Sequence, residues 1–407
     1  MYNMHFHFSF LFLAPCVLSQ TPSTIGTWIG HTNSLPNELL PDVPLLGNGN
    51  VGLLLDSRNS TCPLMGPTNP NTMGWGRNDT TDIYINSNSM WSCGFTNLSV
   101  TNNSCGVIAF GGVSISLTNA GLTGPLSYSA WQAIGSGTIG SNWTTVNGGI
   151  FSTLHFMHPV DNVIVSELSW APASGDPAQV NANISTWSNG ADGLRAGPYT
   201  YSMGCLDLTG APVNCSTAPP PLLATVSRGA TAGNSGSPYQ VRAGLATGLV
   251  SGQGGSAWHK STWPFYVYPG VSFIVAVPAH APPVILLTAQ AEASNFSDTD
   301  PALTAGQLLL SYLSPQGVQR IGAARDAFWG EFWGRASVSL PQQPLLQALW
   351  EGAAYALACA ASTNASVPPP ALYGPWASTD ACGWQGDYTV RNLYPPPPRR
   401  RASRNPN

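Results

Sequence analysis

The sequence predicts a mainly β protein, an enlarged two-sheet structure followed by helices. Three observations predict it. From about residue 20 to 293, short apolar runs are separated by clusters of Gly, Asn, Ser and Pro, which is how strands joined by turns read. At Asp300-Pro301 the apolar spacing changes from strand-like to helical. Only 8% of residues are charged, against about 25% in an average soluble domain, so the sheet surfaces must be dressed with Ser, Thr and Asn.

The elements follow in order. Residues 6–18 (FHFSFLFLAPCVL) form an apolar run too short to span a bilayer. A small-residue site follows, so residues 1–19 read as a secretory signal peptide. No later run is long and apolar enough for a membrane span. Strands are expected at 51–55, 82–86, 107–110, 113–117, 150–157, 163–170, 239–243, 271–277 and 284–288. A stretch of roughly 270 residues is long for one ordinary sandwich, hence the enlarged structure. Asp300-Pro301 and Ser314-Pro315 are each an N-cap followed by Pro at the first helical position. They open helices over 302–313 and 316–334, and a third is expected over 344–361. Leu345, Leu349, Ala353 and Leu357 make one apolar face on that third helix, and the face is expected to be partly exposed. The last residues, 394–407, hold four consecutive prolines and four of the 13 arginines. They have no apolar periodicity and read as a disordered tail.

Composition excludes several function classes. A net charge of −4 with a pI near 5.9 does not supply the basic surface that nucleic-acid binding needs. Nine N-x-S/T triplets begin at Asn59, Asn78, Asn97, Asn102, Asn142, Asn183, Asn214, Asn295 and Asn364, which suits a secreted glycoprotein. Cys93/Cys105 and Cys205/Cys215 are close pairs in loop-like sequence and are candidate disulfides of an oxidising compartment. Cys359 lies in an Ala-rich helical pattern and reads as a buried thiol.

Three stretches carry a family resemblance. Residues 44–55 (PLLGNGNVGLLL), followed by 82–92 (DIYINSNSMWS), resemble the opening of glycoside hydrolase family 95, the α-L-fucosidase-like family. Residues 326–341 (DAFWGEFWGRASVSLP) are similar to its linker helix and following strand. Residues 369–389 (PPALYGPWASTDACGWQGDYT) resemble the segment that opens its catalytic barrel. The resemblance implies an N-terminal β-supersandwich over 20–295, a helical linker over 296–341, and the start of an (α/α)6 six-hairpin barrel over 342–393. It also implies inverting hydrolysis of terminal α-L-fucose or α-L-galactose from a glycan. Such hydrolysis needs two carboxyl groups about 6.5–9.5 Å apart. In the family both lie well downstream of the GDY segment, in a barrel of roughly 300 further residues. This sequence ends at Asn407, so no catalytic residue is assigned and the chain is expected to be a truncated, inactive form. Two alternatives stand beside this reading: a secreted carbohydrate-binding or structural glycoprotein, and a related six-hairpin α-glucosidase or phosphorylase.

Trp376, Trp384, Asp387 and Tyr388 are the substrate-binding candidates, because the matching family segment lies near the substrate pocket. The tryptophans either stack on sugar or pack in the fold. Asp387 is either a hydrogen-bonder or a helix cap. Residues 47–50 (GNGN) read as a β-turn, since a phosphate loop would bring a lysine and a helix. Trp91 reads as a core aromatic, with a sugar platform as the alternative. Trp329 and Trp333, four apart on a helix, read as core. Glu331 and Glu351 read as solvent-facing. His155 and His158 should lie on opposite strand faces. No metal site, cofactor or nucleic-acid partner is expected, and the expected partner is a glycan.

Overall fold

The structure, a computed structural model, describes residues 22, 25–29, 43–58, 80–93, 105–117, 122, 126–188, 199–230, 241–250, 256–261, 269–293, 300–362, 364, 367–370 and 374–376. The expected signal peptide (1–19), Trp384, Asp387, Tyr388 and the expected tail (394–407) lie outside the described residues. So do the side chains of Trp91, Cys93 and Cys105.

Nineteen strands precede three helices among these residues. They are β1 (Ile25–Ile29), β2 (Leu45–Gly47), β3 (Val51–Arg58), β4 (Thr80–Ser87), β5 (Trp91–Cys93), β6 (Cys105–Val107) and β7 (Gly111–Leu117). Next come β8 (Ser127–Ala133), β9 (Thr138–Thr144), β10 (Ile150–Met157), β11 (Val163–Ala171), β12 (Gln179–Ser188) and β13 (Tyr199–Leu206). The set closes with β14 (Pro212–Val213), β15 (Leu223–Ala230), β16 (Val241–Leu249), β17 (Ser256–Ser261), β18 (Gly270–Pro278) and β19 (Val284–Ala293). The helices are α1 (Pro301–Leu310), α2 (Pro315–Arg335) and α3 (Pro344–Ala360).

The strands build a ten-stranded sheet, ordered β1-β8-β9-β10-β11-β19-β16-β15-β13-β14, and a seven-stranded sheet, β17-β18-β12-β7-β4-β3-β2. Their ladders are antiparallel. One large core lies between them. Leu53, Ile83, Ile115, Ile184 and Phe273 from the seven-stranded sheet meet Phe151, Ile164, Leu168, Leu245 and Leu286 from the other. The fold class is therefore the mainly β, sandwich-type one that the sequence predicts.

The ten-stranded sheet is covered on its outer face as well. Val163, Val165, Leu287 and Ala289 sit in a second cluster with Ala305 and Leu309 of α1 and Ile321 of α2. This explains why Val163, Ile164 and Val165 are apolar in succession: alternate side chains enter different cores. Buried hydroxyls and one histidine cross the inter-sheet space. His155 Nε2 meets Thr153 Oγ1 at 2.9 Å and its Nδ1 meets Ser166 Oγ at 2.9 Å. Thr153 continues to Ser141 at 2.8 Å and Ser141 to Thr81 at 3.2 Å. Burial pulls the His155 pKa down from 6.5 to about 3, so the ring is neutral and each nitrogen is matched by a hydroxyl. His158 lies past the end of β10 and is half-buried.

All three helices form where the sequence places them. Asp300 accepts the Ala302 amide at 2.9 Å, and Ser314 accepts the Gly317 amide at 3.0 Å. Both satisfy donors that the first turn leaves open. Expected strand 107–110 shifts: the ladder takes Cys105–Val107, and Ile108–Phe110 are buried without ladder partners. The backbones of β5 and β6 pair Cys93 opposite Cys105. Cys205 and Cys215 form a disulfide with Cα atoms 5.3 Å apart.

Helix α3 corrects one expectation and bears out another. Glu351 is buried, at 3% exposure, rather than solvent-facing. The reason is the helical period: Glu351, Tyr355 and Cys359 share one stripe, and that stripe faces the sandwich. Gln347 Nε2 donates to Glu351 Oε1 at 2.8 Å, and Tyr355 Oη donates to the Leu45 carbonyl at 3.0 Å. The leucine stripe points away. Leu345, Leu349 and Leu357 are 74%, 63% and 68% exposed. Trp329, Trp333 and Cys359 are buried as expected, and Glu331 is exposed in an ion pair with Arg335.

Candidate functional site

The site grows from the turn between β2 and β3. Asn48 Oδ1 accepts the amides of Asn50 at 3.1 Å and Val51 at 2.9 Å, closing the turn. Its Nδ2 donates to the carbonyls of His158 (3.4 Å) and Asp161 (3.2 Å) and to Asn162 Oδ1 (3.2 Å). One asparagine thus ties a hairpin of the seven-stranded sheet to the β10–β11 turn of the other sheet. The line continues through the buried Gln290. Asn162 Nδ2 donates to Gln290 Oε1 at 3.2 Å, and Gln290 Nε2 donates to Glu292 Oε1 at 3.3 Å.

The glycines of the same turn seat α3. Gly49 N donates to the Cys359 carbonyl at 2.9 Å. A Cβ on Gly47 would stand 2.3 Å from that carbonyl oxygen, and Gly49 has φ +86°. Only glycine allows both the approach and the left-handed backbone. Asn88 Nδ2 clamps the seam by donating to Gly49 O at 2.8 Å and Ala360 O at 3.0 Å. Cys359 is enclosed beside Tyr355, and burial pushes its thiol up to about 12. It is a packing group, not a nucleophile.

Beside this seam lies a cleft of about 950 Å³. Leu308 of α1, Phe328 and Phe332 of α2, and Ala354, Leu357 and Ala358 of α3 give it an apolar wall. Asn48, Asn50, Asp161, Asn162 and Glu292 give it polar lining. Its described lining holds two carboxylates and no Lys or Arg. Asp161 accepts a hydrogen bond from Tyr312 Oη, and burial together with that carboxylate pushes the tyrosine up to about 12. His158 Nδ1 accepts the Asp161 amide at 2.8 Å, and burial lowers the His158 pKa. The ring is therefore neutral, with its proton on Nε2. Asp161 and Glu292 both accept structural hydrogen bonds here. No group of three or more His, Cys, Asp or Glu that could hold a metal ion occurs among the described residues.

Of the four sequence-predicted substrate-binding residues, Trp376 alone is described. It is half-buried, its Nε1 donates to the Leu46 carbonyl at 3.0 Å, and it packs against the cluster of Val43, Leu54, Tyr84 and Trp187. It does not line the cleft. The residues that do line it were missed in the sequence. Asp161-Asn162 is a turn signal between two apolar runs, but no local signal says which second turn it meets.

No protein-family model matches the chain, and no curated protein matches it. Solved structures similar to it include a family GH92 inverting mannosidase from Bacteroides thetaiotaomicron. The identity is 11%, the match covers 75% of this chain and 35% of that one, and the TM-score is 0.37. A bacterial glucoamylase complexed with acarbose is similar at 8% identity, over 82% of this chain and 44% of that one, with a TM-score of 0.37. The chain spans less than half the length of either.

Proposed function

We propose that this chain is the sandwich part of a secreted glycoside hydrolase of family 95 type, and that the sandwich seats a six-hairpin helical barrel. In that reading the barrel hydrolyses terminal α-L-fucose or α-L-galactose with inversion. The observation that carries it is the two-sided character of α3. One edge is locked to the sandwich by the glycine turn, and the other offers Leu345, Leu349 and Leu357 to solvent. A helix seated along one stripe whose outward stripe is this apolar expects cover there too. The motif residues support the same reading, because 44–55 fold into the hairpin that holds α3. The Cys205–Cys215 disulfide and the exposed sequon residues Asn214 and Asn364 support secretion.

The test is L-fucose release from a 2'-fucosyl glycan. Residues 1–407 alone are expected to release none, since no pair here matches the family's acid and base. A fusion carrying a family 95 barrel after Trp376 is expected to release it, and Leu349→Lys in that fusion to abolish the gain. Release by the unfused chain, or a soluble fusion indifferent to Leu349→Lys, would overturn the proposal.

A further inference from the structure

We infer that the cleft beside α3, lined jointly by turns of the sandwich and by helices α1, α2 and α3, is a saccharide-binding site. Its choice of sugars rests on the hydrolase reading above; its geometry does not. The volume of about 950 Å³ falls within the roughly 300–1,000 Å³ of small-molecule sites. Phe328 and Phe332 stand nearly parallel, 15° apart with centroids 6.3 Å apart, and both line the cleft. Aromatic faces of this kind accept the C–H face of a pyranose. The same cleft is lined by planar amides and a carboxylate, on Asn50, Asn162 and Glu292, which suit neighbouring hydroxyl groups.

One further point selects the ligand class. With no Lys or Arg in the described lining, phosphates and other anions have no counter-charge. The polar lining is held in place from within the protein: Asn48 Nδ2 donates to Asn162 Oδ1, and Asn162 Nδ2 donates to Gln290 Oε1, so these amides enter the cleft already oriented.

The experiment is saturation-transfer NMR on the full chain with L-fucose, D-galactose, D-mannose, D-glucose and their β-linked disaccharides. Two variants block the cleft at exposed positions, Val160→Trp and Leu357→Arg. These side chains are 74% and 68% exposed, so the fold should tolerate both, and an unchanged Tm checks this. Millimolar binding of at least one sugar is expected, weakened about tenfold or more in both variants, a change of about 1.4 kcal/mol. No transfer to any sugar, or transfer unchanged in both variants, overturns the inference. Tighter binding of spermidine than of any sugar, lost in Glu292→Gln, overturns it in favour of a cation site. The hydrolase reading fails separately: sugar binding with no fucose release from the fusion leaves the cleft site standing and removes the enzyme.

Discussion

Helices α2 and α3 both lie on the sandwich, and their outward faces are built differently. α2 buries Ile321, Trp329 and Trp333 and turns Gln319, Arg320, Asp326, Glu331 and Arg335 to water. α3 buries Glu351, Tyr355 and Cys359 and turns leucines outward. Ser314 caps α2, while α3 starts at Gln343 with no side-chain cap. The difference teaches that α2 is finished by the sandwich, whereas α3 is held by backbone approach along one edge. A buried glutamate beneath an exposed leucine stripe inverts the usual amphipathic pattern.

The largest effect should come from the core of α2. Trp333 is fully buried and its Nε1 donates to the Ile134 carbonyl at 3.1 Å. Trp333→Ala is expected to cost about 3–5 kcal/mol in denaturant unfolding. A cost under 1 kcal/mol would place α2 in the same class as α3 and end the contrast.

Acid asks whether the two helices leave together. The folded His155 pKa is about 3 against 6.5, so the unfolded chain takes up a proton first. The contribution is complete above pH 6.5 and falls as pH drops toward 3, by about 1.4 kcal/mol per unit, or about 3 kcal/mol at pH 4. His155→Gln should flatten this part of the pH–stability curve. An unchanged curve would show that other groups dominate. Loss of α3 helicity before the sandwich unfolds would sharpen the contrast.

The seam comes next. In Gly47→Ala the new methyl meets the Cys359 carbonyl, and about 1–3 kcal/mol of overpacking is expected. Amide exchange should rise over α3 and not over α2. Equal protection in both helices would mean that the glycine contact does not hold α3. The caps should then differ in sign. Ser314→Ala is expected to cost about 1 kcal/mol, while Gln343→Ser in α3 should add a similar or smaller amount, both read by thermal unfolding.

The smallest effect is expected at Leu349. Leu349→Ser at an exposed position should stay within about 0.5 kcal/mol. A loss above 2 kcal/mol would show the leucine face covered in solution, and dependence on protein concentration would then identify a second copy as the cover.

Much of the fold was legible because its signals are local. Asp300-Pro301 and Ser314-Pro315 marked two helix starts, and both caps are made. The 150–157 and 163–170 runs became β10 and β11, since branched and aromatic residues at these spacings fit a pleated surface. Strands β8, β9 and β15, rich in Ser, Thr, Gly and Ala, carry no comparable pattern. Their pairing is stabilised by neighbours far away in sequence. The cleft was not legible for the same reason: Asn48, Asn162, Glu292 and Phe332 come from four separate parts of the chain.

By itself the sequence determined the mainly β class, the change to helices after Asp300, and the three helical segments. These depend on hydrophobic period, turn chemistry and capping over a few residues. The tertiary structure alone decided that Glu351 is buried, that the GNGN turn must be glycine-rich to receive Cys359, and that Asn48 joins two sheets. Each of those depends on which surfaces meet, and contact between distant segments is set by packing and by the need to satisfy buried polar groups, which no local pattern encodes.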